Sequence, residues 1–433
     1  MIGRTRPALL GAIALLLALV HAGLAAAAVP ASWQKGASLT SWARDEYGSP
    51  AADVSLDALR ATRSDSVAIV PTWYMPDPTS PVIAPHPTQT PSDAGVLHAL
   101  LAAKARGFRV VMKPHVDVVD GTWRGYIQPA DVAAWFASYR IFMEHYADMA
   151  QQAHADILVV GTEYESMTQY SLAWRELITD LRTHFSGKLT YGANRLEEAE
   201  RIDFWDALDY VGVDAYMPLS QNNPNPSVAA LVKAWTNLGY VDRLHALADR
   251  WHRSILFTEI GYYPHDGTAI EPYKVRWDWP VDVVPQARAY EAFYEVFNSK
   301  PWVAGVYWWD WPADPPANWT TDYTPRGTLA QRVIERWNAP VLTALTLGLD
   351  QHQDAVVLRG AAYRASRCPA LVHLRIDRSV SKGWHLVRAP NAHLKHGRFR
   401  WVARLKPGRY RASARLTGRC ARITARPHVF ARH

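Results

Sequence analysis

The stretch DILVVGTEYE, Asp156 to Glu165, constrains the fold of this chain more than any other part of the sequence. The five apolar or small residues from Ile157 to Gly161 are typical of a strand that is buried on both faces in a parallel sheet. A carboxylate such as Glu163 at the end of a buried strand is costly to desolvate unless it has a partner or a chemical role. A second run, ILFTEIG from Ile255, repeats the pattern and carries Glu259. The two runs predict two glutamates at equivalent strand ends.

The rest of the first 337 residues alternates strand-like runs with helical patterns, which predicts a (β/α)8 barrel. One helix is expected to run without interruption from Val228 to Trp251. The eight strands are predicted at residues 35–42, 67–74, 108–117, 157–161, 188–194, 210–216, 255–261 and 305–311. Active sites of such barrels lie at the C-terminal ends of the strands. Side chains there include Trp42, Trp73, His115, Asp117, Glu163, Asn194, Asp214, Tyr216 and Glu259.

From Pro340 onward the pattern changes to short alternating runs separated by Gly, Pro and Asn, which predicts a small antiparallel, sandwich-like module. We therefore expect a barrel domain over residues 29–339 and an accessory domain over residues 340–433. The two cysteines of the chain, Cys368 and Cys420, both lie in this module. In an exported protein such a pair predicts a disulfide.

The first 28 residues have the pattern of a secretory signal peptide. Arg4 and Arg6 precede an apolar run from Ala8 to Val20, and small residues follow up to an A-x-A-like cleavage site after Ala28. An uncleaved membrane anchor is the alternative, but the apolar run is short for a spanning helix. We expect a secreted protein, or one held in the periplasm or cell envelope.

The net charge of +7 conceals an uneven distribution. Residues 341–433 contain 19 basic and 3 acidic side chains, whereas the first 340 contain 28 basic and 37 acidic ones. The basic module is either a binding surface for an acidic polymer or the cell envelope, or a solvated β-face whose arginines keep it soluble. Both interpretations stay open. Because the sequence has no phosphate loop, nucleic-acid module, H-E-x-x-H or C-x-x-C motif, we expect no nucleic acid, metal or cofactor. We also expect a monomer.

Two strand-end glutamates suit a retaining glycosidase, whose two carboxyl groups stand about 5–5.5 Å apart. One carboxyl group protonates the leaving oxygen and the other attacks the anomeric carbon. Strands four and seven face each other across a barrel mouth, so Glu163 and Glu259 can meet there. The alternative is that one glutamate is a buried ion-pair partner of Arg44 or Lys113. Glu165, two residues further on, competes with Glu163 for the acid role.

Several segments resemble clan-A retaining glycoside hydrolases, in particular glycoside hydrolase family 113, whose characterised members are β-1,4-mannanases. The segments are KGASLTSWARDEY, VPTWY, KPHVD, GTEYE, TEIGYYP and YWWDW followed by YTPRGTLAQRVIERW. The resemblance covers residues 35–337 and implies that Glu163 is the acid/base and Glu259 the nucleophile. Tyr216 would bond a carboxylate or a sugar hydroxyl, and Trp308 or Trp309 would form the floor of the sugar subsite. Thr162 stands where most of the clan has an asparagine that holds the sugar 2-hydroxyl.

The remaining candidate contacts to substrate each have a structural alternative. Arg44 either holds Glu259 ionised or is a surface residue, and His115 is equally well a structural histidine. The further candidates are Trp42, Trp73, Asp117, Asn194 and Asp214. We expect a secreted retaining endo-β-1,4-mannanase-like hydrolase of a β-linked polysaccharide. A non-catalytic carbohydrate-binding protein and a hydrolase of an envelope glycan or exopolysaccharide are the alternatives.

Overall fold

The computed structural model describes residues 33–274, 279–315 and 322–339. In the last quarter of the chain it describes residues 344–345, 347–351, 355–363, 371–381, 383–393, 398–416, 423–425 and 427–432. One compact unit comprises Val29–Asn338 and another contains Ala339–His433. The predicted signal peptide, Cys368 and Cys420 lie outside the described residues, so export and the disulfide stay predictions.

The first unit is a closed barrel of eight parallel strands, which confirms the predicted fold. Its strands in chain order are β1 (Gln34–Thr40), β2 (Ser66–Val70), β3 (Thr72–Met75), β4 (Arg109–Met112), β5 (His115–Val118), β6 (Ile157–Thr162), β7 (Lys188–Asn194), β8 (Val211–Asp214), β9 (Ile255–Ile260) and β10 (Val303–Pro312). All except β3 and β5 belong to the barrel, and β10 pairs with β1 to close it. The predicted strands 67–74 and 108–117 are each interrupted.

Both interruptions occur at prolines, Pro71 and Pro114, which have no N–H to donate to a sheet ladder. Beyond them β3 and β5 pair with each other, with Thr72 opposite His115. This two-stranded extension carries His115 beyond the closed part of the barrel.

Nine helices surround the barrel in the part of the chain that the structure describes, and five of them begin with a side-chain cap, at Ser49, Ser92, Asp131, Ser227 and Asp282, that accepts a hydrogen bond from the first helical turn. They are α1 (Pro50–Ala61), α2 (Asp93–Ala105), α3 (Val132–Gln152), α4 (Ser171–His184), α5 (Arg195–Arg201), α6 (Val228–Asn237), α7 (Tyr240–Trp251), α8 (Val283–Phe297) and α9 (Leu329–Asn338). None of these helices combines the length and hydropathy that a membrane span requires.

The prediction of one helix from Val228 to Trp251 is wrong. The predicted helix is interrupted between α6 and α7 at Gly239, whose φ of 77° lies in the left-handed region. Glycine adopts this conformation without the steric penalty of a Cβ atom, and it commonly ends helices for that reason.

Two apolar cores position the barrel strands. A large core lies between the strands and the surrounding helices and includes Trp135, Trp174 and Phe293. A small separate cluster comes from five barrel strands and fills the interior: Ala68, Val111, Ile157, Val159, Leu256 and Tyr307. This cluster fills the interior below the strand ends, and the C-terminal mouth above it is where such barrels place their active sites.

The second unit consists of antiparallel sheets, as predicted. Its strands are β11 (Ala344–Leu345), β12 (Gly348–Gln351), β13 (Val356–Tyr363), β14 (Leu371–Val380), β15 (Gly383–Arg388), β16 (Asn391–His393), β17 (Arg398–Ala403), β18 (Gly408–Leu416), β19 (Ile423–Thr424) and β20 (His428–Arg432). One sheet contains β11, β12, β13 and β17, and the other contains β14, β15, β16, β18, β19 and β20. Leu358 and Phe399 from the first sheet share one core with Ile376 and Ala412 from the second. The unit is therefore sandwich-like.

Candidate active site

The C-terminal end of the barrel opens into a cavity of about 500 Å³. Its lining combines acidic, basic and aromatic side chains from several strand ends and the loops that follow them. They are His115, Trp123, Arg124, Tyr126, Glu163, Asn194, Arg195, Tyr216, Glu259, Tyr273, Trp309 and Tyr323. Six of these were predicted as site residues: His115, Glu163, Asn194, Tyr216, Glu259 and Trp309.

Both oxygens of Glu259, near the end of β9, have donors. Tyr216 donates its hydroxyl to Oε2 at 2.8 Å, and the Lys113 ammonium donates to Oε1 at 2.5 Å. Lys113 is only 1% exposed, so water does not screen this ion pair strongly. The two donors stabilise negative charge on Glu259 and fix its orientation. The ion pair between Glu259 and Lys113, named above as an alternative to a catalytic role, is therefore present, and Glu259 also lines the cavity. Arg44, the other candidate partner, has an exposed side chain on the loop after β1.

Asp214 lies behind Glu259 and does not line the cavity. Its Oδ1 accepts a hydrogen bond from the Thr258 hydroxyl at 2.6 Å and lies 3.5 Å from the Lys113 ammonium. Burial, and then the negative charge of Glu259, raise the pKa of Asp214 well above its usual value. The prediction that Asp214 contacts substrate is therefore corrected: it supports Lys113 from within the protein.

Glu163 has the environment of a proton donor. It follows β6 with φ of 55°, and the Trp123 indole donates to its Oε2 at 3.2 Å. Burial, and then the negative charge of Glu259, raise the pKa of Glu163, while the charge of Arg124 opposes the rise. A carboxyl group that stays protonated more readily than an ordinary glutamate suits general-acid catalysis.

Tyr164 explains how Glu163 comes to face the cavity. The Tyr164 side chain is fully buried, and its hydroxyl accepts a hydrogen bond from the Val116 backbone at 3.0 Å. The Tyr164 backbone N–H donates to the Tyr191 hydroxyl at 2.8 Å. Because these contacts anchor Tyr164 in the core, the left-handed turn at the preceding residue directs Glu163 to the cavity.

Glu165 is engaged outside the cavity. Its carboxylate accepts hydrogen bonds from Asn194 Nδ2 at 3.2 Å and from Arg201 at 2.5 Å. Asn194 itself lines the cavity, so Glu165 orients a lining residue. The geometry favours Glu163 over Glu165 as the acid.

Trp309 and His115 form an aromatic wall. Their rings are nearly parallel at an angle of 14°, with centroids 5.8 Å apart. Trp42, which is 44% exposed, meets the Trp309 ring edge-on at 6.2 Å. Burial, followed by the positive charges of Arg124 and Lys113, lowers the pKa of His115 well below its usual value, which favours the neutral imidazole. His115 supports the Trp309 ring from a buried position, and the partly exposed indole offers a face against which a sugar ring can pack.

Trp308 and Trp73 do not reach the cavity, which corrects two predicted substrate contacts. Trp308 is buried against α8, where its ring stacks on Tyr290 at 3.8 Å and its indole donates to Tyr294 at 3.0 Å. Trp73 packs against Phe142 of α3, with ring centroids 5.3 Å apart. Successive side chains of a strand point to opposite faces, so Trp308 faces the helices while Trp309 faces the barrel.

Asp117 also acts indirectly, through an arginine that the sequence reasoning missed. It pairs with Arg124 at 2.6 Å, and Arg124 lines the cavity while Asp117 does not. The sequence reasoning also missed Trp123, Tyr126, Arg195, Tyr273 and Tyr323 as site residues. These residues lie after the ends of strands, and this position in a barrel was the available signal.

One group of side chains with metal-binding donors lies outside the cavity. The donor atoms of Glu144, Asp180 and His184 lie within 4.8 Å of one another on α3 and α4. However, Asp180 pairs with Arg140 at 2.5 Å, and His184 pairs with Asp148 at 2.8 Å. The cluster is explained as an ion-pair network between two helices.

Comparisons with known proteins assign a family to the barrel. The sequence model of Glycoside Hydrolase Family 113 matches residues 38–324. A GH113 β-mannanase from Alicyclobacillus acidocaldarius, solved in complex with ManMIm, is 28% identical over 72% of this chain and 98% of its own, with a TM-score of 0.64. A GH113 β-1,4-mannanase, also solved as a complex, is 25% identical over 71% of this chain and 98% of its own, with a TM-score of 0.63. No match was found among curated proteins.

The family match begins in β1 and ends after β10, so it includes both cavity glutamates and most of the barrel. It confirms the resemblance that the sequence motifs indicated. The match does not extend to the basic second unit, which the family assignment leaves unexplained. The chain belongs to glycoside hydrolase family 113, a retaining clan-A family.

Proposed function

We propose that this glycoside hydrolase cleaves β-1,4-linked mannan by double displacement, with Glu259 as nucleophile and Glu163 as acid/base. The observation that carries the proposal is the contrast between two glutamates that line one cavity. Glu259 accepts hydrogen bonds from an ammonium and a hydroxyl, whereas burial and the neighbouring charge raise the pKa of Glu163. Two carboxyl groups with opposed environments are the usual basis of an acid and nucleophile pair.

In the first step, Glu259 attacks the anomeric carbon while Glu163 gives its proton to the leaving glycosidic oxygen. A glycosyl ester forms on Glu259, and the bond to the leaving sugar breaks. Lys113 and Tyr216 hold the attacking carboxylate in place, and Trp309 supports the sugar ring. Arg124 and Trp123 then stabilise the new carboxylate on Glu163.

In the second step, Glu163 removes a proton from water, the water oxygen attacks the anomeric carbon, and Glu259 leaves as a carboxylate. The charge of Glu259 is one cause of the raised pKa of Glu163. Esterification removes that charge, so the pKa of Glu163 falls when this residue must act as a base. The two inversions together give net retention.

The choice of mannan draws its support from the two solved relatives, which are described as a β-mannanase and a β-1,4-mannanase. The proposal includes export, which the apolar run from Ala8 to Val20 and the small residues after it support.

The test is chemical rescue on 2,4-dinitrophenyl β-mannobioside, whose leaving group needs no proton. In Glu163→Ala the first step should survive and the glycosyl-enzyme should accumulate, because no base activates water. Azide should then restore turnover and yield the β-glycosyl azide. In Glu259→Ala azide should occupy the vacated side of the sugar and yield the α-azide.

Glu165→Ala is the matched control, because it removes a carboxylate two residues from Glu163 that bonds to Asn194 and Arg201. We expect the Glu165→Ala enzyme to turn over the substrate without added azide. Rescue of the Glu165 variant in place of the Glu163 variant, or the same azide anomer from both catalytic variants, would contradict the assignment.

A further inference from the structure

The second unit has a solvent-facing surface in which arginines are concentrated on two neighbouring strands. Leu374 and Ile376 of β14, and Ala412 and Ala414 of β18, point into the core. The alternate residues of both strands therefore point outward. These outward residues include four arginines, Arg375, Arg409, Arg411 and Arg415, which we call the arginine face.

A buried carboxylate orients two of these arginines. Asp377 is 1% exposed, and it accepts hydrogen bonds from Arg375 Nε at 2.9 Å and from Arg411 at 3.1 Å. The two arginine side chains remain 56% and 37% exposed. Each guanidinium group has five N–H bonds, so one carboxylate can accept only some of the donors of Arg375 and Arg411. The remaining donors face solvent from side chains that are already fixed.

An aromatic ring lies beside the same donors. The Arg411 guanidinium lies 5.0 Å from the centre of the Trp384 ring on β15. The indole makes a cation–π contact with the guanidinium and adds an apolar surface next to it. Fixed N–H donors beside an indole suit a ligand that carries both carboxylates and sugar rings.

The charge of the whole unit favours a polymeric anion. Residues 341–433 carry 19 basic and 3 acidic side chains, so the positive charge is not limited to the arginine face. From Arg409 to Arg415 the strand extends about 20 Å, at about 3.3 Å per residue, which is the length of a short oligosaccharide. A chain with repeated carboxylates can therefore contact several arginines at once.

We infer that the arginine face is a second carbohydrate-binding site, which takes an acidic polysaccharide whose sugars carry carboxylates. It requires none of the cavity residues, and it goes beyond the hydrolysis of mannan. Because its ligand is bound and not cleaved, the site would hold the enzyme on an acidic matrix that contains the neutral substrate. A polysaccharide is favoured over other polyanions because the same chain carries a glycoside hydrolase barrel.

The test is binding of the purified full chain to polygalacturonate, with unmodified mannan as the neutral comparison, over a range of NaCl concentrations. We expect retention on polygalacturonate that weakens as salt rises, since salt screens exposed charges. The informative variant is Arg409→Gln with Arg415→Gln, which leaves Asp377 with both of its partners. Its affinity should fall about tenfold, because two surface ion pairs are lost.

The matched control is Arg398→Gln with Arg400→Gln on β17, which removes two exposed arginines from the other sheet. Its affinity should stay close to that of the unchanged protein. Trp384→Ala should weaken binding most visibly at high salt, where charge contributes least. Hydrolysis of mannotetraose should be unchanged in all these variants, so failure of this proposal is distinguishable from failure of the proposed catalysis.

Three results would overturn the inference. Equal losses in the two double variants would mean that the charge acts diffusely and that the arginine face is not a site. Absence of retention on polygalacturonate at low salt would exclude carboxylate-bearing polysaccharides as the ligand. Tighter binding to phosphatidylglycerol vesicles or to duplex DNA would assign the surface to a membrane or a nucleic acid.

Discussion

Replacement of Lys113 by methionine tests the electrostatic design of the cavity. The Lys113 ammonium lies 2.5 Å from Glu259 and 3.5 Å from Asp214, and all three side chains are buried. Methionine has a similar length but no charge, so Lys113→Met leaves two neighbouring carboxyl groups without their cation. Removal of one partner from a buried ion pair typically costs 3–5 kcal/mol.

The direction in which the pH profile of Lys113→Met moves depends on whether the variant favours protonated or ionised carboxyl groups. Without the cation, the protonated forms of the two carboxyl groups become more favourable, whereas the nucleophile must be ionised to attack. The acidic limb of kcat/KM should therefore move to higher pH, by about two to four units if the whole energy appears in this equilibrium. Lys113 also opposes the raised pKa of Asp214, so its loss raises that pKa further.

A raised folded-state pKa of an acid contributes stability below its unfolded pKa, and this contribution is lost as pH rises. The amount by which Lys113→Met lowers the free energy of unfolding, relative to the unchanged protein, should therefore be larger at pH 7.5 than at pH 4.5. Urea unfolding at both values and a pH profile of kcat/KM on mannotetraose measure these effects. Tyr216→Phe is the control, because it removes a donor to Glu259 without a charge and should cost about 1–2 kcal/mol. An unmoved acidic limb with a stability loss that is equal at both pH values would refute the reasoning.

Three further predictions follow from the positions of single side chains and of the unit boundary. Trp309→Ala should raise KM about tenfold, because the sugar ring loses its packing surface. Trp308→Ala should lower the free energy of unfolding by about 3–5 kcal/mol and leave kcat of the folded enzyme unchanged. The reverse pattern would mean that Trp308 contacts the sugar and Trp309 the core. The basic limb of the kcat/KM profile should appear on mannotetraose and be absent on a dinitrophenyl substrate, whose leaving group needs no proton, because it reports the proton of Glu163, whose pKa is raised by burial and the charge of Glu259; an equal basic limb on both substrates would assign it to another group. A chain that ends after Pro340 should keep full activity on soluble mannotetraose, since among the described residues the cavity lining ends at Tyr323; a folded but inactive truncation would show that the second unit contributes to catalysis.

The barrel and its two strand-end glutamates could be predicted from the sequence because both are visible in short local patterns. A buried strand that ends in a carboxylate is visible at Glu163 and again at Glu259. The interruption at Gly239 was missed because the amphipathic pattern continues through it, and a single glycine does not always end a helix. Pro71 and Pro114 were visible, but they were read as parts of continuous strands.

Side-chain direction and the loop residues depended on contacts distant in sequence. In the run YWWDW every position is aromatic or acidic, so alternation alone did not tell which tryptophan faces the barrel. Asp214 is acidic and at a strand end, yet Thr258 and Lys113 hold it behind the cavity. Arg124 lies in a loop, and its position becomes evident only with its partner Asp117 in place.

The central claim is that Glu259 forms a covalent bond to the sugar. Incubation with 2-deoxy-2-fluoro-β-mannosyl fluoride should trap this ester, because fluorine slows its hydrolysis more than the good leaving group slows its formation. Mass spectrometry of the digested protein should then locate one added 2-fluoromannosyl group on Glu259, within the peptide that contains residues 255–260. A label on Glu163 or Asp214, or an unlabelled protein that releases the inverted sugar, would contradict the account.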